Sequence, residues 1–433
     1  MINKAKTLFA LLLLGIFIIW SAEPLSAVTV DFHGKALIGV LSSSNSYLMG
    51  GEDDDSTIFG AGKFRLRAEV GSDDGRAKMV YGFETGANNF GGEDWGYSGD
   101  SEDFENRFAY IQLNLPGCKD KILGRGGLQK TRVNQWLWTE TAAGITLHGK
   151  GGVNWSAGWF RGLEEEWGKD DDANDETDLY VIKAGFKPTD NITVSGFGVY
   201  ADDFGAKSDV KKINWKAVEN GADQYWCGLT GKIDGPLFAT ADLIYQGGDG
   251  GIDGDLDVSA YLANLSLGFK VRDNVQVLVN GLYVSGDDDP HDKDLEAFQS
   301  IDADVKVDQI FFKDGLAGSL DRFVDDQFGV TMPDGLRNNG LATCALEGAI
   351  QLDAKNSLRT SVRYLETAEK DTLYYPGEDE LGTEASLWYS YKYNQNLTLK
   401  LEGAYLFPGD LAEKMFEDDD NVYQAVAGMV FAF

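Results

Sequence analysis

The chain has 433 residues, with 70 Asp and Glu against 38 Lys and Arg, a formal net charge of −32 at pH 7. A protein so acidic repels phosphates, which excludes a nucleic-acid binder, and an aromatic content of 12% excludes an acidic disordered chain. Three cysteines, Cys118, Cys227 and Cys344, leave at least one unpaired within the chain, which excludes a disulfide framework.

Residues 1–27 read as a secretory signal peptide. Lys4 and Lys6 form a positive start, Leu8 to Trp20 an apolar run too short and wrongly flanked for an anchor, and Ser26-Ala27 a small-residue cleavage site. Residues 28–433 then read as one domain, because no linker, composition shift or helical periodicity divides them. They alternate segments of about ten residues with turns or acidic loops, the repeating signature of a transmembrane barrel. In 58–70, Ile58, Phe64, Leu66, Ala68 and Val70 share one strand face, and Phe59, Lys63, Arg65, Arg67 and Glu69 share the other. The next strand brings Arg76, Lys78 and Glu84, and the segment 121–132 adds Arg125, Lys130 and Arg132. Trp155 and Trp159 share a face further on, as do Tyr389, Tyr391 and Tyr393, consistent with aromatic girdles at the membrane interfaces. SLRTSVRYL sets Arg359 and Arg363 together, and KLEGAY adds Lys400 and Glu402. The closing segment, NVYQAVAGMVFAF, places Tyr423, Ala425, Ala427, Met429, Phe431 and Phe433 on one face. It resembles the C-terminal strand of outer-membrane proteins, which makes Phe431 and Phe433 the expected membrane-insertion signal.

The connections alternate in length. Short turns are expected at 71–75, 116–120, 148–152, 187–191, 234–236, 272–274, 353–356 and 393–396. Longer polar stretches are expected near 42–57, 87–104, 164–176, 203–222, 248–255, 287–339, 369–381 and 408–420, with a short external loop near 133–138. The fold class is therefore all-β, a transmembrane antiparallel β-barrel of about 16–18 strands, with short periplasmic turns and long external loops. The stretch 287–339 either folds into the barrel, on Ile310, Phe311, Phe312, Leu316, Phe323 and Phe328, or covers its outside.

With apolar faces toward lipid, the charged faces line the interior. The expected pore-lining set is Lys63, Arg65, Arg67, Glu69, Arg76, Lys78, Glu84, Arg125, Arg359, Arg363, Lys400 and Glu402. Charges face lipid only at high cost, so the interior is wet. Acidic residues gather in the loops instead, at Glu52–Asp55, Asp170–Asp172, Asp287–Asp289 and Glu417–Asp420. Loop acidity favours cations and wall arginines favour anions, so mixed selectivity is expected. Only His33, His148 and His291 are available for catalysis. His33, with Asp31 on the same face, reads as lumen lining, and no nucleophile and base come together, so no enzyme is expected. No cofactor and no metal site are expected either. The carboxylates of 249–257 lack a complete EF-hand pattern, leaving Ca²⁺ or other divalent ions at the external loops, shared with lipopolysaccharide, as the possible ion contact.

The first third resembles a family. FRLRAEVGS (64–72), GFETG (82–86), FENRFAYIQLNLP (104–116), ILGRGGLQK (122–130) and TAAGIT (141–146) occur in the order found in homotrimeric outer-membrane porins of sulfate-reducing and related Gram-negative bacteria. Where that family has an acidic pair before Ala-Gly-Ile, this chain has Glu140 alone. The resemblance implies a homotrimer in the cell outer membrane, among lipid and lipopolysaccharide, with a water-filled pore in each subunit for passive diffusion of small hydrophilic solutes and ions. A substrate-specific channel and a plugged structural or surface-binding barrel are the alternatives.

Overall fold

The computed structural model describes residues 28–44, 57–89, 104–118, 121–163, 177–204, 222–250, 256–289, 292–303, 305–312, 314–320, 328, 338–370, 375–416 and 422–433. The expected signal peptide, His291, Phe323 and the acidic stretches 52–55, 170–172 and 417–420 lie outside the described residues.

The chain runs through β1 (Thr29–Ser43), β2 (Thr57–Gly71), β3 (Ala77–Asn89), β4 (Phe104–Asn114), β5 (Ile122–Lys130) and β6 (Thr141–Gly149). It continues through β7 (Val153–Leu163), β8 (Thr177–Thr189), β9 (Ile192–Phe204), β10 (Ala222–Ile233), β11 (Leu237–Gly250), β12 (Leu256–Arg272) and β13 (Val275–Val284). After the two-residue β14 (Asp294–Leu295) come β15 (Leu341–Gln351), β16 (Asn356–Glu366), β17 (Glu380–Lys392), β18 (Leu397–Pro408) and β19 (Val422–Ala432). Successive strands pair antiparallel, β13 pairs β15 directly, and β1 closes on β19 from Lys35↔Ala432 to Ser43↔Gln424. β14 lies parallel to β12 and is not a wall strand, so among the described residues the wall has eighteen strands. Strand length varies round the wall, from nine residues in β5 and β6 to seventeen in β12.

Closure removes the free sheet edges that hydrocarbon could not satisfy. At the seam, the Gly34 N–H donates to the Phe433 carbonyl at 2.9 Å and the Phe433 N–H returns to Gly34 at 3.0 Å. The Phe433 ring lies over Gly34, in the space a Cβ there would occupy.

Alternation places the side chains as the sequence implies. On β11, Asp242, Ile244 and Gln246 are buried inside while Leu243 and Tyr245 point out. The outward tyrosines cluster toward the long-loop end, in the pairs Tyr180–Tyr200, Tyr225–Tyr245 and Tyr261–Tyr283. Phe32, Trp155, Phe186, Tyr393, Phe431 and Phe433 are exposed toward the short-turn end. Those two bands bracket an apolar outer face, as a barrel in a bilayer requires.

The packed core lies inside the barrel. The stretch expected as 287–339 folds inward: Phe298, Ile310, Phe311, Phe312 and Phe328 are buried against Trp226, Leu262, Leu341 and Leu406 of the wall. Its short helix α1 (Leu316–Leu320) buries Leu316, Ala317 and Leu320 against Leu37, Leu41 and Val426. A second, α2 (Asp410–Met415), buries Leu411, Ala412 and Met415. Each buried leucine, isoleucine, phenylalanine or methionine among them contributes about 1.5–3 kcal/mol. The segment 133–138, expected as a short external loop, also turns inward. Trp136, Leu137 and Trp138 are almost fully buried, and Trp138 packs edge-on against Phe160 with ring centres 5.1 Å apart. Both indoles find apolar area inside that a solvent-facing loop would not offer, and the Trp136 N–H finds a partner in Asp242.

Candidate functional site

Inside the wall a charged face centred on β2 and β3 adjoins a face covered by the two inward segments, whose cover reaches β1 at Leu37 and Leu41 and β7 at Phe160. On the charged face β2 presents Lys63, Arg65, Arg67 and Glu69 by its period of two. Glu84 of β3, nearly fully buried, is the centre of the upper part. Lys63 Nζ lies 3.2 Å from it, Arg65 bonds it, and Arg107 Nη1 lies 3.7 Å away. Arg107 Nη2 also reaches Glu140 at 3.4 Å. Lower down, Glu69 takes Lys78 at 2.7 Å and Arg67 at 3.1 Å. Sequence parity misses Arg107. Tyr110 and Gln112 occupy the inner face of β4, which should put residue 107 outside, but a register shift between Gly82 and Phe83 reverses the alternation above it.

Toward the short-turn end this face opens into a cavity of about 470 Å³ lined by Arg67, Tyr110, Arg125, Gln129, Lys130, Arg132, His148 and Lys183, with no carboxylate among its lining residues. Arg125 donates to Gln112 at 2.8 Å, and its guanidinium lies 5.6 Å from the Tyr110 ring centre. Lys183 Nζ donates to the carbonyls of Val133 at 2.7 Å and Arg132 at 3.1 Å. Among the described residues, Arg125, Lys130, Arg132 and Lys183 have no carboxylate within ion-pair distance, so their charge is open to a solute. Lys183 was not expected from sequence; its strand, TDLYVIKAGFKPT, carries the signal only as one lysine in phase with buried Thr177 and Leu179.

The covered face is where the loop is fastened. Asp242 of β11 accepts from Asn134 Nδ2 at 2.9 Å, Trp136 Nε1 at 3.1 Å, Thr230 Oγ1 at 2.7 Å and Asn264 Nδ2 at 3.2 Å, tying the 133–138 turn across the lumen. Ser300 Oγ donates to the Trp136 carbonyl at 2.7 Å, joining the two inward segments. Glu384 accepts the N–H groups of Gln309 at 3.0 Å and Ile310 at 2.9 Å, and Glu402 accepts that of Leu316. Arg359 pairs with Asp314 and lies 3.6 Å over the Trp388 ring.

The expected pore-lining residues therefore divide. Lys63, Arg65, Arg67, Glu69, Lys78, Glu84 and Arg125 come together on one wall. Arg359 and Lys400 face a second cavity of about 490 Å³ beside Lys270, Arg272, Asp273, Asp314 and Trp388. Arg363 and Glu402 are corrections: both point inward but are buried. Arg363 is held by Glu347 at 3.2 Å, Asn280 and Thr343. Glu402 lies beneath the loop, 2.9 Å from Lys400. Arg76 is a third correction, an exposed turn residue 3.9 Å from Asp74 rather than a wall residue. Its turn is ordered by Asp74, whose carboxyl is held below its ordinary range by the Arg76 N–H and the Ser72 hydroxyl. In the loop, burial and the neighbouring Glu384 push the Asp308 carboxyl well above its ordinary range, although the Phe311 and Phe312 N–H groups oppose this.

Among the described residues no group of three or more His, Cys, Asp or Glu is arranged to hold a metal ion. No family model and no curated relative matches the chain. Solved structures do. A BenF-like porin from Pseudomonas fluorescens Pf-5 is 11% identical with a TM-score of 0.58, covering 94% of this chain and 99% of that one. Pseudomonas aeruginosa OpdQ is 13% identical with a TM-score of 0.55, covering 95% and 99%. The outer membrane protein OprD from Pseudomonas aeruginosa is 13% identical with a TM-score of 0.54, covering 93% of each. At these identities the likeness is one of fold.

Proposed function

We propose that the chain is an outer-membrane channel of the porin type, passing small hydrophilic solutes and ions by diffusion and catalysing no reaction. One observation carries this reading: a closed, outwardly apolar wall surrounds a charged cavity whose cations are not neutralised from within. A structural barrel has no use for unpaired charge in its interior, whereas a water-filled pathway accommodates it. The cavity of about 470 Å³ with cations and no carboxylate favours, within this reading, a channel that prefers small anions over cations. In planar bilayers the purified, folded protein is expected to give stepwise conductance, and a folded barrel without steps would refute the channel. Arg125→Gln/Lys183→Gln should move the reversal potential in a salt gradient toward cations. Saturable block by one class of small organic anion would identify a substrate-specific channel. The resemblance of residues 64–146 to homotrimeric porins supports a homotrimer seated in lipid and lipopolysaccharide, which chemical cross-linking before heat denaturation tests.

A further inference from the structure

The lumen charge differs between the two ends of the barrel. At the long-loop end, the start of the inward loop brings Asp287, Asp288, Asp292, Asp294 and Glu296 together. Burial, then repulsion from those four aspartates, raises the Glu296 carboxyl, and Glu369 is raised by burial and by Asp288. Lys293 is the cation within that stretch. In the middle, the lumen cations are matched: Lys63, Arg65 and Arg107 by Glu84 and Glu140, and Arg363 by Glu347. At the short-turn end the matching is incomplete. Lys270 and Arg272 close β12 and line the second cavity beside Asp273, where Arg359 is paired with Asp314 and Lys400 with Glu402. Arg125 lines the first. Among the described residues none of Lys270, Arg272 and Arg125 has a carboxylate partner. The turns at that end carry both signs and largely cancel, as in Lys232–Asp234 at 2.9 Å and Arg76–Asp74.

We infer that the channel is polarised along its axis, with a cation-gathering mouth at the long loops and an anion-gathering vestibule at the short turns, and that it therefore rectifies ionic current. This rests on the channel reading above. A mouth of one sign raises the local concentration of its counter-ion. When the long-loop side is positive, cations enter from the mouth that concentrates them and anions from the vestibule that concentrates them. Both accumulate inside and the current rises. With the polarity reversed, each end withholds the carrier the field demands, and the lumen is depleted. Screening sets the range: the Debye length is about 10 Å at 0.1 M and about 3 Å at 1 M, so the asymmetry belongs to low salt.

The test is the current–voltage curve of single channels in KCl, with protein added to one chamber so that the charged long loops stay on the side of addition. The expected result at 0.1 M is a current about twofold larger when the side of addition is positive, falling toward equality at 1 M. Lys270→Gln/Arg272→Gln replaces two side chains that make no hydrogen bond or ion pair among the described residues, so the barrel should fold as before and the asymmetry should shrink. Equal currents at both polarities, the opposite sign, or an undiminished ratio in that variant would overturn the inference while leaving a channel. Absence of any conductance would overturn the channel itself, and the inference with it.

Discussion

Glu84 shows how one carboxylate sets the character of a wall. It is buried among Lys63, Arg65 and Arg107, so its removal leaves Lys63 and Arg65 without a carboxylate and Arg107 with Glu140 alone. Glu84→Gln, which keeps the shape and part of the hydrogen bonding, is expected to raise anion over cation permeability about twofold or more. Reversal potentials in a KCl gradient check this, with heat-modifiable gel migration as the folding control. Asp308 makes a different prediction. Its Oδ1 accepts Phe311 N–H at 2.7 Å and Phe312 N–H at 3.2 Å, while Oδ2 is buried with no partner among the described residues. The folded state holds this carboxyl's proton to higher pH than the unfolded chain, whose Asp titrates near 3.9. Below that value both states are protonated; above it only the unfolded state ionises freely, so stability falls as pH rises toward the folded value. Asp308→Asn should therefore raise the urea midpoint in detergent at pH 7, and the gain should vanish near pH 3.5. The alternation that placed Lys63, Arg65, Arg67 and Glu84 inside was legible in the sequence because a strand has period two. Arg107 was not, because a bulge changes the phase and leaves no mark in residue type.

At the scale of elements, the inward loop is held by acceptors on the wall rather than by secondary structure of its own. Glu384 and Glu402 together hold three backbone N–H groups, and Gln424 Nε2 holds the Gln309 carbonyl at 2.9 Å. Stranding each donor costs about 1–3 kcal/mol. Glu384→Ala/Glu402→Ala should free residues 305–320 without opening the wall. The expected readout is a larger, noisier conductance in a protein that remains heat-modifiable; an unchanged open level would show that the loop does not narrow the pathway. The strands and turns could be read ahead because each announces itself locally, through alternation, or through Asp and Gly as at 72–75. The inward course of 133–138 could not: Asn134 and Trp136 find their partner in Asp242, more than a hundred residues away. The apolar residues of 310–316 showed that the long loop needed cover, but not whether that cover lay inside or outside.

The whole molecule depends on one seam, where β1 meets β19. Deleting Phe433 removes both hydrogen bonds to Gly34 and the ring above it, whereas Phe433→Ala removes the ring alone. A closure role predicts a several-fold lower folded fraction for the deletion and a smaller loss for Phe433→Ala. A recognition signal read from the aromatic ring predicts equal losses, and heat-modifiable yield in vesicles separates the two. The uneven wall has a consequence at the edge of the membrane. Nine residues cover about 31 Å along a strand, or roughly 24 Å of membrane normal at a tilt near 40°. The apolar band of an outer-membrane barrel is about 25 Å tall, so β5 and β6 just cross it with nothing to spare, whereas the seventeen residues of β12 extend well beyond it. The rim of the barrel is thus uneven, level with the edge of the membrane along β5 and β6 and standing clear of it along β12.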